Sequence, residues 1–263
     1  MLGLMGLLTD ADLRQFANDG YVVLRDVVPE SLLAAADGEI DGLLAGTAPD
    51  EGDGGPGQSA WFSPRVRLPR CDDVLRQSPA LTMARELVSP NSIDHAGLED
   101  SRYDHIQVAI TVAPWSHSPG GPHIDGWTPG DSFSMLAGVL LTDQHETQSG
   151  NLWVWPGSHL EHERLFRERG IAILDQSGVG GHSTLLDPPV VLRAGIPITG
   201  GRGDLVLAHF LTGHNKGGNM RPHVRRTIYY RLNVPGHAHR LDQTRVDAWL
   251  EYPRMKSFRA SGS

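Results

Sequence analysis

The chain has 263 residues, 39% of them apolar and 21% charged, with a formal net charge of −8. That length suffices for one large folded unit with a full core, and the acidic balance argues against nucleic acid or an anionic membrane surface as partner. The single cysteine, Cys71, excludes an intramolecular disulfide and any cysteine-based zinc site; without a His-Asn context it reads as a packed, inert thiol.

The opening run MLGLMGLLTDADL is apolar but has no basic n-region and no small-residue cleavage site, so no signal peptide is expected. No segment is long and apolar enough to span a bilayer, and the expectation is a cytoplasmic protein. Thr9 reads as the N-cap of a first helix, with early acids Asp10 and Asp12, an apolar face at Leu13, Phe16 and Ala17, and a stop at Gly20. Tyr21 to Val28 reads as a β segment. Pro29 opens a second helix carrying Leu32, Leu33, Ala36, Ile40, Leu43 and Leu44 on one side.

Residues 46–60, dense in Gly, Pro and acids, predict a mobile loop, either a linker or a lid ending at Trp61 and Phe62. Ser78-Pro79 caps a third helix running to Val88. From His105 the pattern changes to β-branched and aromatic runs separated by turn residues: His105 to Ala113, Phe133 to Thr142, Leu152 to Trp155, Asp204 to Phe210 and Arg226 to Val234. Leu160 to Arg169 predicts a short helix, and 170–203 is a long Gly-rich excursion. Helices first and strands second predict a mainly β fold with flanking helices, built on a jelly-roll or cupin-like double-stranded β-helix. The expected organisation is a single domain over 1–263, with helical support and a loop in 1–90 and the jelly-roll core in 91–240.

The chemistry concentrates in His123-Ile124-Asp125, followed by His214 and Arg225. On an extended segment, side chains at i and i+2 point the same way, so His123 and Asp125 can reach one metal. Two histidines and one carboxylate are the facial set of a mononuclear Fe(II) oxygenase, with positions left open for cosubstrate and O2. The same set also suits zinc. Arg225 offers a fork that grips a carboxylate. Arg226 adjoins it, but alternate residues of a strand face opposite ways, so only one of the two can point inward.

GGPHIDGW, SGNLWVWPGSH and GDLVLAHFLTGHNKGGN, in this order and followed by Arg225, resemble the phytanoyl-CoA dioxygenase family of Fe(II)/2-oxoglutarate oxygenases. The opening LTDADLRQFANDGYVVLRDVV is similar to that family's first helix and strand, so the resemblance covers nearly the whole chain. It implies Fe(II), 2-oxoglutarate and O2 as cofactors and cosubstrates, His123, Asp125 and His214 as metal ligands, and Arg225 on the C5 carboxylate of 2-oxoglutarate. His209 is the competing distal histidine; the family spacing selects His214 and leaves His209 packed. Lys216 stands where some members carry a hydroxyl residue.

Gln107 and Thr111 share a face of one strand, and the resemblance gives them to substrate and cosubstrate respectively; the alternative is a solvated polar face. Trp127 is a candidate for stacking on substrate, or else a core or rim aromatic. Trp153 and Trp155 share a face and include core packing; Asn219 shapes a turn, and His159 is structural. His117, His145, His182 and His223 are loop histidines without an assigned role. Loops 46–60 and 170–203 are the segments expected to select substrate.

The implied reaction is hydroxylation of an unactivated C–H bond of a small molecule, such as a secondary-metabolite intermediate, with release of succinate and CO2. Desaturation, epimerisation, cyclisation or endoperoxide formation at the same centre is the first alternative. A zinc hydrolase and a metal-binding jelly roll without turnover are the others. Oligomeric state is not legible.

Overall fold

A computed structural model of the chain describes residues 6–46, 59–62, 68–94, 106–125, 132–175 and 179–258. The loop reading of 47–58, together with His105 and Trp127, lies outside the described residues.

The first helix, α1 (Asp10–Asp19), starts and stops as expected. Thr9 Oγ1 accepts from the Asp12 amide while the Asp12 carboxylate accepts from the Thr9 amide, a reciprocal capping box. Gly20 ends the helix in the left-handed region. Strand β1 (Tyr21–Leu24) is shorter than expected, because Arg25 and Asp26 turn away to meet the Asp204 carboxylate. Helix α2 (Glu30–Gly46) buries Leu33, Ala36, Ile40 and Leu43.

Two elements were not anticipated here: strand β2 (Ser59–Phe62) and helix α3 (Pro69–Arg76). Helix α3 buries Cys71, Val74 and Leu75, and burial pushes the Cys71 thiol far above its ordinary value, as an inert thiol requires. Helix α4 (Ala80–Val88) follows Ser78-Pro79 as expected.

The strands then come in the predicted places: β3 (Gln107–Thr111), β4 (Met135–Leu140) and β5 (Leu152–Val154). Helix α5 (Ser158–Arg169) starts two residues earlier than Leu160. The 170–203 excursion holds two short 3-10 turns, Ile171–Asp175 and Ser183–Leu185, and the two-residue strand β6 (Ile196–Pro197). Strands β7 (Leu205–His209), β8 (His214–Lys216) and β9 (Arg225–Leu232) and helix α6 (Leu241–Val246) complete the chain's larger elements.

Among the described residues two antiparallel sheets form. The larger has the order β1-β7-β4-β9-β3-β2, and the smaller β6-β5-β8. The non-sequential order means that neighbours in the sheet are remote in the chain. Central strands β4, β7 and β9 are buried almost throughout, which accounts for the apolar runs of β4 and β7, while β9 carries Arg225 and Arg231 as buried cations. The helices and the C-terminal turn supply a contiguous apolar core with Phe16, Trp249 and Tyr252 at one end. Among the described residues, no helix is long and apolar enough to cross a membrane.

Asn219 ties the segment after β8 to the large sheet. Its side-chain amide donates to the carbonyls of Thr111 (3.1 Å) and His223 (2.8 Å), and its Oδ1 accepts from the Arg221 amide (3.0 Å). It is fully buried. Asn219→Ala leaves these groups unmet and should cost about 1–3 kcal/mol. The check is a lowered urea midpoint with unchanged slope, and an unmoved midpoint contradicts the role.

Candidate metal centre

The centre begins with two backbones. The His123 amide donates to the His214 carbonyl (3.0 Å), and the His214 amide donates to the His123 carbonyl (2.9 Å). This closed antiparallel pair sets the two imidazoles side by side, with ring centroids 4.6 Å apart. Gly213 lets the segments approach, since a Cβ there would lie 2.9 Å from the Pro122 Cβ. Helix α5 supports the turn before His214. Ser158 Oγ accepts from the Gly213 amide (2.7 Å), the Trp155 amide donates to the Gly213 carbonyl (2.9 Å), and His162 Nδ1 donates to the Leu211 carbonyl (2.7 Å). The WPGSH segment therefore acts as a brace beneath the distal histidine.

Asp125 completes the cluster. Its Oδ1 lies 3.6 Å from His123 Nε2 and 3.5 Å from His214 Nε2. One donor atom from each of the three residues falls within 4.8 Å of the others, a spread that can hold one metal ion. The His214 Nδ1–H donates to the Thr212 carbonyl (3.0 Å), which leaves the Nε2 lone pair facing the cluster. Burial lowers the His123 pKa and keeps that ring neutral, the form that ligates. Burial opposes a charge on Asp125, but Arg231 and the two imidazoles outweigh it and hold the carboxyl well below its usual range. Burial likewise opposes protonation of His214, and the Asp125 carboxylate with the Thr212 carbonyl reverses the direction, so its pKa is raised. Donor type, tautomer and charge all fit a divalent cation.

Strand β9 forms the wall next to the cluster. Arg225, Thr227, Tyr229 and Arg231 share one face by period two. Arg225 is buried, 3% exposed, with Nη2 donating to the Tyr229 hydroxyl (2.7 Å) and Nη1 to the Ala109 carbonyl (3.5 Å). Its Nε has no partner, and among the described residues no carboxylate pairs with it. Gly150 clears its path: a Cβ there would lie 2.8 Å from the Arg225 Cγ, and the residue has φ +77°. Arg226 points the other way, toward Asp37 (3.4 Å) and Asp41 (2.8 Å) on α2.

Thr111 is the register partner of Arg225 and is buried on the same face. Gln107 accepts from Arg231, which in turn donates to Asp125 Oδ2 (2.6 Å). Arg231 was missed in the sequence, although its place on the Arg225 face, three alternations along, was a usable signal. Gly181 accepts from the Ile124 amide (3.2 Å), and the His182 ring lies 5.5 Å from that of His123, so the 170–203 excursion does reach the cluster.

His209 stays apart. Its Nε2 donates to the Ala248 carbonyl (2.8 Å), its Nδ1 accepts from the Leu211 amide (3.1 Å), and it packs beside Tyr252 and Trp249. Trp155 is buried and Trp153 half-buried. His159 is buried against Trp249, and His117 stacks on Trp115.

Burial lowers the His209 pKa from 6.5 to about 4. The unfolded chain therefore takes up the proton first as pH falls. The stability from this group is present above pH 6.5 and is lost toward pH 4, with a slope of at most about 1.4 kcal/mol per pH unit. His209→Gln should flatten the stability profile in that window without loss of metal binding. An unchanged slope, or lost metal, contradicts the packed role.

No protein-family model and no curated protein sequence matches the chain. Solved structures do. SnoK, a non-heme alpha ketoglutarate dependent carbocyclase from nogalamycin biosynthesis, superposes with a TM-score of 0.55 at 19% identity over 89% of this chain and 91% of that one. EctD from S. alaskensis gives 0.55 at 16% identity over 89% and 80%. HygX from Streptomyces hygroscopicus, solved with nickel and 2-oxoglutarate bound, gives 0.52 at 14% identity over 87% and 88%. The chain thus shares its fold with structures that include a non-heme, α-ketoglutarate-dependent enzyme and a 2-oxoglutarate complex.

Proposed function

We propose that the chain is a single Fe(II)- and 2-oxoglutarate-dependent dioxygenase domain with a jelly-roll core, acting on a small molecule. The observation that carries this reading is the pairing of two features. A two-histidine, one-carboxylate cluster is met by strand β9 through Arg231, and the same face of that strand carries a buried guanidinium, Arg225, that has no carboxylate of its own among the described residues. A buried cation without a counter-ion is costly, and a ligand carboxylate beside the metal removes that cost. 2-Oxoglutarate has its second carboxylate at the far end of a short chain, which suits an arginine set on the neighbouring strand.

In this reading His123, Asp125 and His214 hold Fe(II) on one side. The metal, when bound with the keto acid, supplies O2 activation coupled to decarboxylation of 2-oxoglutarate to succinate and CO2. Arg225 binds the C5 carboxylate through its fork, already oriented by Tyr229 and the Ala109 carbonyl. Thr111, beside Arg225 across the strand pair, contributes a hydroxyl to the same end of the cosubstrate. Buried β9 and β3 exclude water around the cosubstrate, and the 179–185 segment forms part of the rim that meets substrate. Trp127 is proposed to stack on the substrate.

Hydroxylation of a C–H bond is the expected outcome. Ring closure, the activity named for SnoK, is the second reading, because the same fold carries it there.

Incubation with Fe(II) and 2-oxoglutarate in air should consume O2 and release succinate. Turnover of any substrate that needs neither O2 nor 2-oxoglutarate contradicts the proposal and favours a hydrolase. His123→Ala and His214→Ala should lose Fe(II) binding by calorimetry. Arg225→Ala should raise the KM for 2-oxoglutarate by about 10- to 100-fold, with Arg226→Ala close to wild type; the reverse order would move the anion site to Arg226.

A further inference from the structure

Arg231 is a buried cation that the proposed reaction does not use. It is 5% exposed and sits on β9 in register with Leu136 of β4, in the interior of the large sheet. Its guanidinium is fixed from three sides. Nη1 donates to Gln107 Oε1, Nη2 donates to Asp125 Oδ2 at 2.6 Å, and the carbon centre lies 5.6 Å from the Phe133 ring centroid. The two oxygens of Asp125 therefore have different surroundings. Oδ1 faces the imidazoles at 3.5 and 3.6 Å, and Oδ2 faces Arg231.

We propose that Arg231 is a positioning residue that holds Asp125 Oδ2 so that the carboxylate offers only Oδ1 to the metal, with Gln107 orienting Arg231. The inference rests on the metal-centre reading above and concerns how this chain tunes that centre. A carboxylate can chelate through both oxygens. Two imidazoles and a chelating carboxylate would take one more position of an octahedral ion than two imidazoles and a single oxygen. That extra position is one that a chelating keto acid and O2 require between them. Occupying Oδ2 with a charge-assisted hydrogen bond of 2.6 Å keeps it open.

The arrangement is specific to arginine. A planar fork can hold Gln107 and Asp125 at the same time and lie against Phe133, whereas a lysine ammonium cannot stack and reaches both only by leaving the plane. It also reassigns Gln107: its Oε1 is committed to Arg231, so its effect on the metal precedes any contact with substrate.

The test is Co(II) binding to apo-protein under nitrogen, read by calorimetry and by the visible ligand-field bands, for wild type, Arg231→Leu, Arg231→Lys and Gln107→Leu. Arg231→Leu should tighten Co(II) binding by about 10-fold, since a neighbouring cation is removed and a ligand oxygen gained, and lower the band intensity as the coordination number rises. Arg231→Lys should return the affinity toward wild type but not the spectrum. Gln107→Leu should shift both in the same direction by less, and it carries the test if Arg231→Leu does not fold by circular dichroism.

Wild-type affinity and spectrum in folded Arg231→Leu, or in Gln107→Leu where that variant is the readout, would overturn the inference while leaving the metal centre standing. No Co(II) binding by wild type would overturn the metal-centre reading itself. A changed affinity with an unchanged spectrum would show Arg231 acting through charge alone and would also overturn the positioning role.

Discussion

The reciprocal hydrogen bonds between the backbones of His123 and His214 are the contact on which the rest of the site depends. They join two segments that are far apart in the chain and belong to different local structures. One is a Gly-Pro-rich loop, and the other is the first residue of β8. Once paired, the two residues need no further adjustment to face one cation, because register fixes both side chains. The bracing around them serves that register. Gly213 permits the approach to Pro122, Ser158 and His162 hold the turn that leads into His214, and the Thr212 carbonyl selects the imidazole tautomer. Ligands ordered in advance lose little entropy on binding, so the fold itself carries much of the cost of assembling the centre.

The second constraint is electrostatic. Strand β9 presents two arginines on one face, separated by Thr227 and Tyr229. Both are buried, and their surroundings differ. Arg231 is matched to Asp125 within the protein. Arg225 is matched only to a hydroxyl and a carbonyl. Neutralised charge is suited to shaping a ligand set, and unneutralised charge to recruiting an anion. Under the proposed function the same strand serves both halves of the centre, and the face that carries the two arginines is set by alternation. On the opposite face, Arg226 is satisfied by two acids of α2 and links the helical layer to the sheet.

Much of this was legible in the sequence where local chemistry decides. The Thr9 cap and Gly20 stop follow from backbone groups that need partners. The pleat leaves one of Arg225 and Arg226 to face inward, the family resemblance selects Arg225, and the i, i+2 placement of His123 and Asp125 follows from extended geometry. Elements that depend on distant partners were less visible. Strand β6 has two residues and exists through its pairing with β5. Helix α3 is short, and charges at Arg70, Asp72, Asp73 and Arg76 surround its three buried positions. Strand β1 ends early because Asp204 draws the chain aside, a pull no window around Tyr21 contains. Arg231 is hidden for the same reason: its face can be counted from Arg225, but its partner Asp125 arrives only when the His123–Asp125 loop folds against β9. His182 reads from sequence as a loop histidine because nothing nearby in the chain shows that its segment returns to Ile124.

If one cation and one keto acid share this centre, held by the His123, Asp125 and His214 cluster and by Arg225, an anaerobic optical titration of apo-protein with Fe(II) and 2-oxoglutarate will show it directly. The expected result is a weak visible charge-transfer band that needs both components and saturates at one equivalent of metal. Fe(II) binding with no such band at saturating 2-oxoglutarate would contradict keto-acid chelation, and a protein that retains zinc tightly and rejects Fe(II) would contradict the assigned chemistry altogether.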